Sequence, residues 1–145
     1  MKNEPFVIER TYLAPAEKVW KAITEKEKMQ QWYFDIKEFK PEVGCEFQFT
    51  AGNDEKKYLH RCKITEVHPG NKLAYSWRFD GYEGMSFVTF ELTDEGTSTK
   101  VKLTHEGIET FTPLNPDFSI ESFEEGWTYI IGTSLKEFVE RAVSP

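Results

Sequence analysis

The alternation of apolar and polar positions changes period along the chain, and each change marks an element. From Phe6 to Leu13, Phe6, Ile8 and Tyr12 alternate with Glu9 and Thr11, the two-residue period of a strand. At Ala14-Pro15 the period lengthens. Pro15 suits a first helical position, and Ala16, Val19, Trp20 and Ile23 recur on one helical face. Thr24 and Glu27 have capping-box spacing, which predicts a second short helix carrying Met29 and Trp32 toward the core.

The period then returns to two. Phe34, Ile36 and Phe39 open a series of strands and turns that continues to residue 106. After a turn at Pro41–Gly44, Cys45, Phe47 and Phe49 alternate with Glu46, Gln48 and Thr50. Gly52-Asn53-Asp54 is hairpin chemistry, after which Tyr58, His60, Cys62 and Ile64 alternate with Arg61, Lys63 and Thr65. Later inner rows are Leu73, Tyr75, Trp77 and Phe79, then Val88, Phe90 and Leu92, then Val101, Leu103 and His105. Six such strands in series predict an antiparallel meander, making about seven strands with the first. Its aromatic face must be covered. The cover is expected at the end of the chain, after a loop with Pro113 and Pro116. Ser122 and Glu125 suggest another capping box, and Phe123, Trp127, Ile130, Ile131, Leu135, Phe138 and Val139 recur at helical spacing. That helix is expected to reach about Ala142, roughly 30 Å at the helical rise. Gly126 and Gly132 within it cost about 1 kcal/mol each relative to alanine. They mark either close approach to the sheet or a ligand, or local tolerance.

Composition narrows the class. The 145 residues fit a single α+β domain over 1–145, with 39% hydrophobic and 30% charged residues, a globular balance. A net charge of −7 disfavours nucleic acid, so Lys56-Lys57 and the alternating Lys100 and Lys102 read as solvated strand faces. Met1–Pro5 leads straight into the first strand without a signal-peptide apolar core, and no apolar run approaches the ~18 residues of a membrane span. A cytoplasmic protein without membrane insertion is expected. Cys45 and Cys62 lack CxxC spacing and fall at inward strand positions, so they are expected to be reduced core residues.

Several local sequences carry a family resemblance. They are Ile8-Glu9-Arg10-Thr11, Ala14-Pro15-Ala16-Glu17-Lys18-Val19-Trp20, Met29-Gln30-Gln31-Trp32, and the run from Glu66-Val67-His68-Pro69-Gly70 through Trp77. Val88-Thr89-Phe90-Glu91-Leu92, Leu103-Thr104-His105-Glu106-Gly107, and Gly126-Trp127 with Leu135 complete them, in an order that spans nearly the whole chain. In this the chain resembles the START-like, or Bet v 1-like, helix-grip superfamily, in its branch named after the activator of heat-shock protein 90 ATPase. The resemblance implies a curved sheet, two short helices and a long C-terminal helix packed on the concave face. It also implies a cavity between sheet and helix, used across the superfamily for lipids, polyketides and other apolar molecules. The co-chaperones that named the branch carry a second, N-terminal domain for which this chain leaves no room, so chaperone activation ranks below ligand binding.

The concave face of such a sheet is larger than one helix can fill, which makes its aromatic rows candidate ligand contacts. The residues assigned are Trp32, Phe47, Phe49, Tyr58, His60, Tyr75, Trp77, Phe90, His105, Trp127 and Ile131. His60 and His105 are the inward groups that titrate near neutrality; each either bonds a ligand oxygen, acts as an acid or base, or is a core histidine satisfied by backbone. His68, beside Pro69-Gly70, is expected to be exposed and idle, and Arg78 to face solvent. Asp54, Asp80 and Asp94 fall in turns, where they bond backbone. The sequence lacks HxxxH and zinc spacing, a GxSxG elbow and phosphate-cradling glycine loops, so no catalytic residue, metal or cofactor is assigned. The expected function is binding of a small hydrophobic molecule, of lipid, polyketide or aromatic type. The alternatives are a cyclase, dehydratase or hydrolase in the same cavity, or a chaperone co-factor with a protein partner. A monomer, or a weak homodimer through an exposed edge strand, is expected.

Overall fold

Strand pairing follows the two-residue alternation almost without exception. The computed structural model describes residues 5–32, 36, 39–52, 57–111 and 120–140. Among them, β1 (Phe6–Tyr12), β2 (Glu46–Gly52), β3 (Lys57–His68), β4 (Lys72–Phe79), β5 (Ser86–Asp94) and β6 (Thr99–Glu106) form one antiparallel sheet, ordered β1-β6-β5-β4-β3-β2. The meander therefore runs from β2 to β6, and β1 closes it by pairing with β6. This is six strands where about seven were expected. The stretch read as opening the meander lies partly outside the described residues, and its Ile36 and Phe39 are buried without joining a strand. The hairpin at Gly52-Asn53-Asp54 and the loop with Pro113 and Pro116 also fall outside them, at residues 53–56 and 112–119.

Register puts the whole inner row on one face. His60 pairs with Phe79, Cys62 with Trp77, Ile64 with Tyr75, and Trp77 in turn with Ser86. A bulge between Ile64 and Glu66 shifts the register once, and an extra residue of that kind bends a strand and increases its twist. Cys45 departs from the sequence reading. It sits one residue before β2 and is half-buried, whereas Cys62 is buried as expected.

Two helices, α1 (Ala16–Thr24) and α2 (Lys26–Trp32), follow β1. Val19, Ala22 and Ile23 are the buried face of α1, and Met29 and Trp32 that of α2; Ala16 and Trp20 are only half-buried. Neither Thr24 nor Ser122 stands at the helix start expected of it. Thr24 ends α1 and donates its hydroxyl back to the Trp20 carbonyl at 2.7 Å, while Lys28 and Met29 donate their amides to the Glu25 carbonyl. Ser122 lies inside the C-terminal helix, which already starts at Ile120.

That helix comprises α3 (Ile120–Tyr129), a π-turn (Ile130–Ser134) and α4 (Leu135–Glu140); Ala142 is outside the described residues. It lies over the concave face with Trp127, Ile131, Leu135 and Val139 buried. The π-turn widens the helix and frees a carbonyl, and the buried Tyr12 hydroxyl donates to Ile131 O at 2.5 Å. Of the two helical glycines, Gly126 has no neighbour where a Cβ would stand. A Cβ on Gly132 would lie 3.6 Å from Arg10 Nε, an ordinary contact. Gly107 is different, because its φ of 89° is left-handed and a Cβ there would meet Met85 O at 2.8 Å. It holds the β4–β5 loop against the turn at Ile108–Thr110, where the Thr110 hydroxyl also accepts from the Met85 amide. No helix of the described residues is long and apolar enough to cross a membrane.

Candidate functional site

The inner face gathers all eleven side chains read from the sequence. Each is at most 8% exposed, and Ile131 and His105 are wholly buried. β2, β3 and β4 supply Phe47, Phe49, Tyr58, His60, Tyr75 and Trp77. β5 and β6 add Phe90 and His105, and the C-terminal helix brings Trp127 and Ile131 down onto them. Trp77 is the hub. Its ring lies 5.7 Å from Phe49, 5.1 Å from His60, 5.1 Å from His105 and 5.8 Å from Trp127, mostly edge-on or tilted. At one end of the cluster Phe47 packs edge-on between Phe39 and Tyr75. Tyr75 lies beside Phe90, and Phe90 beside Trp127. At the other, Tyr58 and Phe111 meet Phe79.

Trp32 has a different role from the rest. Its indole N–H donates to Ala22 O at 2.8 Å, and its own carbonyl accepts from the Ser134 hydroxyl at 2.6 Å. It ties α1, α2 and the C-terminal helix together at one end of the site.

Both histidines are committed. His105 Nδ1 accepts from the Trp127 indole N–H at 2.9 Å, which leaves the proton on Nε2 to be donated to Ser86 Oγ at 2.7 Å. Ser86 then donates its own hydrogen to the Trp77 carbonyl at 3.2 Å. This buried relay fixes the tautomer and hangs the C-terminal helix on β6. Burial drives the His105 pKa down to about 3, because nothing solvates the charged form. His60 stacks on Phe49 at 4.5 Å, and its Nδ1 lies 3.0 Å from the Tyr58 carbonyl, which accepts its proton. Burial also lowers His60, to about 4, against the opposing pull of the Tyr58 and Phe49 carbonyls. Both rings are therefore neutral at pH 7.

Against this background one atom stands out. Among the described residues, Trp77 Nε1 is the one buried side-chain nitrogen or oxygen without a hydrogen-bond partner. An indole N–H can only donate, and a buried donor left unmade costs about 1–3 kcal/mol. It is aimed from the middle of an aromatic cluster in which the other polar groups named above already have partners.

Sequence reasoning missed Ser86 and Tyr12 as polar parts of this region. Ser86 could have been found, since it precedes Val88 and Phe90 in the same inward row. Tyr12 was placed inward, but nothing in the sequence announced the π-turn carbonyl that it binds. His68 is exposed as expected yet not idle, for its Nε2 lies 2.7 Å from Glu66 Oε2. Asp80 is likewise engaged, by Arg61. Asp94 accepts from the Gly96 amide as a turn residue should, and Asp54 lies outside the described residues. Among the described residues no three His, Cys, Asp or Glu side chains converge as metal ligands.

The family model for Activator of Hsp90 ATPase homolog 1-like protein matches residues 13–140. Among solved structures, protein MLL2253 from Mesorhizobium loti is 26% identical, with 97% of this chain and 100% of that one covered and a TM-score of 0.78. Protein CV1439 from Chromobacterium violaceum is 22% identical over 97% of this chain and 99% of that one, with a TM-score of 0.80. DynU16, from the dynemicin biosynthetic locus, is 19% identical with a TM-score of 0.78; 97% of this chain is covered, but it spans only 48% of DynU16. No curated protein matches the sequence.

Proposed function

Because the chain belongs to the family of Activator of Hsp90 ATPase homolog 1-like proteins, we propose that its inner face binds a small, uncharged hydrophobic molecule carrying a hydrogen-bond acceptor. The observation that carries this reading is the unpartnered Trp77 N–H in the middle of the aromatic cluster. Apolar contact with the surrounding rings would supply affinity at ~25 cal/mol per Å² buried. The acceptor, a carbonyl or ether oxygen, would take the Trp77 hydrogen and fix orientation. Both histidines are neutral and already bonded, so the cluster supports holding a ligand better than acid–base turnover. The same neutrality argues against a carboxylate headgroup among these rings, since an unpaired charge there would be strongly disfavoured. DynU16's place in a biosynthetic locus is compatible with a small-molecule ligand.

The test is a thermal-shift and tryptophan-fluorescence titration with aromatic ketones, the matching hydrocarbons and fatty acids. The ketones should bind saturably and raise Tm. Trp77→Phe should weaken the ketones about five- to tenfold more than the matching hydrocarbons, one hydrogen bond's worth beyond the shared loss of ring contact. Absence of saturable binding by any probe would defeat the proposal.

A further inference from the structure

The outer face of the sheet carries a second concave feature, on the side away from the C-terminal helix. Glu46, Gln48, Arg61, Lys63, Ser76, Arg78 and Met85 are among the residues lining a groove of about 570 Å³ across β2, β3 and β4. Three of these are cations, in a chain whose net charge is −7. Register places them side by side. Arg61 pairs directly with Arg78, and Lys63 sits two positions further along β3, opposite Ser76. Directly opposed residues have Cβ atoms about 5 Å apart, where like charges destabilise a sheet. Asp80 offsets Arg61 in this pair, so among the described residues it is the Arg78 guanidinium that stands beside a like charge without a counterion.

The remaining groups are arranged for a ligand of that charge. Arg61 Nε donates to Asp80 Oδ1 at 2.8 Å, which orients one guanidinium at the end of the groove while leaving its side chain half-exposed. Among the described residues Arg78 has no ion-pair partner. Ser76 is buried at the floor, with its hydroxyl 3.4 Å from the Lys63 carbonyl. Met85, 41% exposed, adds an apolar wall. Glu46, opposite Lys63 across β2 and β3, is the single acid in the lining among the described residues.

We propose that this groove binds a compact organic anion bearing clustered oxyanion groups, phosphate or polycarboxylate, held between Arg61 and Arg78 with Lys63 at its side. Guanidinium pairs recognise both groups bidentately, and the volume leaves room for a small organic body against Met85. Its charged side chains alternate with the inner aromatic row and so face the opposite side of the sheet, although Phe47 and Cys62 also border the groove.

The experiment is a ¹H–¹⁵N NMR titration of the whole chain at fixed ionic strength with pyrophosphate, citrate and, as a control, chloride. Saturable shifts at the amides of Arg61, Lys63 and Arg78 are expected with pyrophosphate or citrate, and the tighter of the two identifies the headgroup. Arg78→Gln, an exposed substitution whose spectrum reports its folding directly, should weaken binding at least tenfold. Trp77→Phe should leave it unchanged, which separates this site from the inner one. Shifts that grow linearly without saturation, that chloride reproduces, or that survive Arg78→Gln would overturn the proposal and leave a solvated cationic face.

Discussion

Acid should destabilise this protein through its two interior histidines before Glu66 and Glu140 take part. His105 and His60 are held neutral by burial, at about 3 and about 4, against about 6.5 in an unfolded chain. Their folded values are depressed, so the unfolded state binds more protons below pH 6.5, and stability falls as pH drops through that value. The size of the loss at pH 5 depends little on the folded values, because both lie well below the measurement. At that pH an unfolded imidazole is almost wholly charged, and each histidine lowers stability by about 2 kcal/mol relative to pH 8. Glu66 is held below the ordinary carboxylate range by its hydrogen bond from His68, and Glu140 by its bond from Lys136 and then the Leu13 amide, so their losses come at lower pH still. Urea unfolding at pH 8, 6.5 and 5 measures the difference. His105→Gln will be less stable at every pH because it disturbs the relay to Ser86 and Trp127. The decisive quantity is its pH dependence, which should shrink by about 2 kcal/mol, half of the wild-type change. His68 is common to both proteins and cancels from the comparison. A wild-type protein equally stable at pH 8 and 5, or a variant with the full pH dependence, would refute a buried, neutral His105.

Other substitutions read other parts of the structure. Tyr12→Phe leaves the Ile131 carbonyl of the π-turn without its buried donor and should cost about 1–3 kcal/mol in urea unfolding; an unchanged midpoint would mean that water replaces the phenol. Gly107→Ala should destabilise by more than 1 kcal/mol, since φ is left-handed and Met85 O blocks the new methyl, whereas Gly126→Ala, with open space around it, should stabilise by up to about 1 kcal/mol. Equal effects of opposite expectation would show that backbone conformation is not what distinguishes them. In native protein a thiol reagent should label half-buried Cys45 quickly and Cys62 only on unfolding, because burial pushes the Cys62 thiol well up. Rapid labelling of both would show that the sheet opens locally around Trp77.

The inner face was legible in the sequence because a strand's period admits no ambiguity. Once Tyr75, Trp77 and Phe79 alternate with Ser76 and Arg78, one set must be buried, and the turn residues between runs set the strands' order. The same rule placed His60 and His105 inside. Local signals served less well at the helix starts. Thr24 and Ser122 have capping-box spacing, but the helix boundaries fall elsewhere, with Thr24 closing the first helix and Ser122 inside the helix that starts at Ile120. Period also could not tell that β1 returns to pair with β6, a contact between residues nearly a hundred positions apart.

What only the tertiary structure decided is which inward polar groups have partners. Alternation gives the face on which a side chain lies, not what stands opposite it. The Trp127 indole, Ser86 and His105 meet because a helix from one end of the chain crosses two strands from its middle. The same crossing leaves Trp77 Nε1 without a partner, and cross-strand register sets Arg61 beside Arg78 on the outer face. The sequence by itself determined the sheet, its buried rows and the helix that covers them, since burial follows from local period. The candidate sites depend on distances of a few ångströms between residues far apart in the chain, which no local pattern encodes.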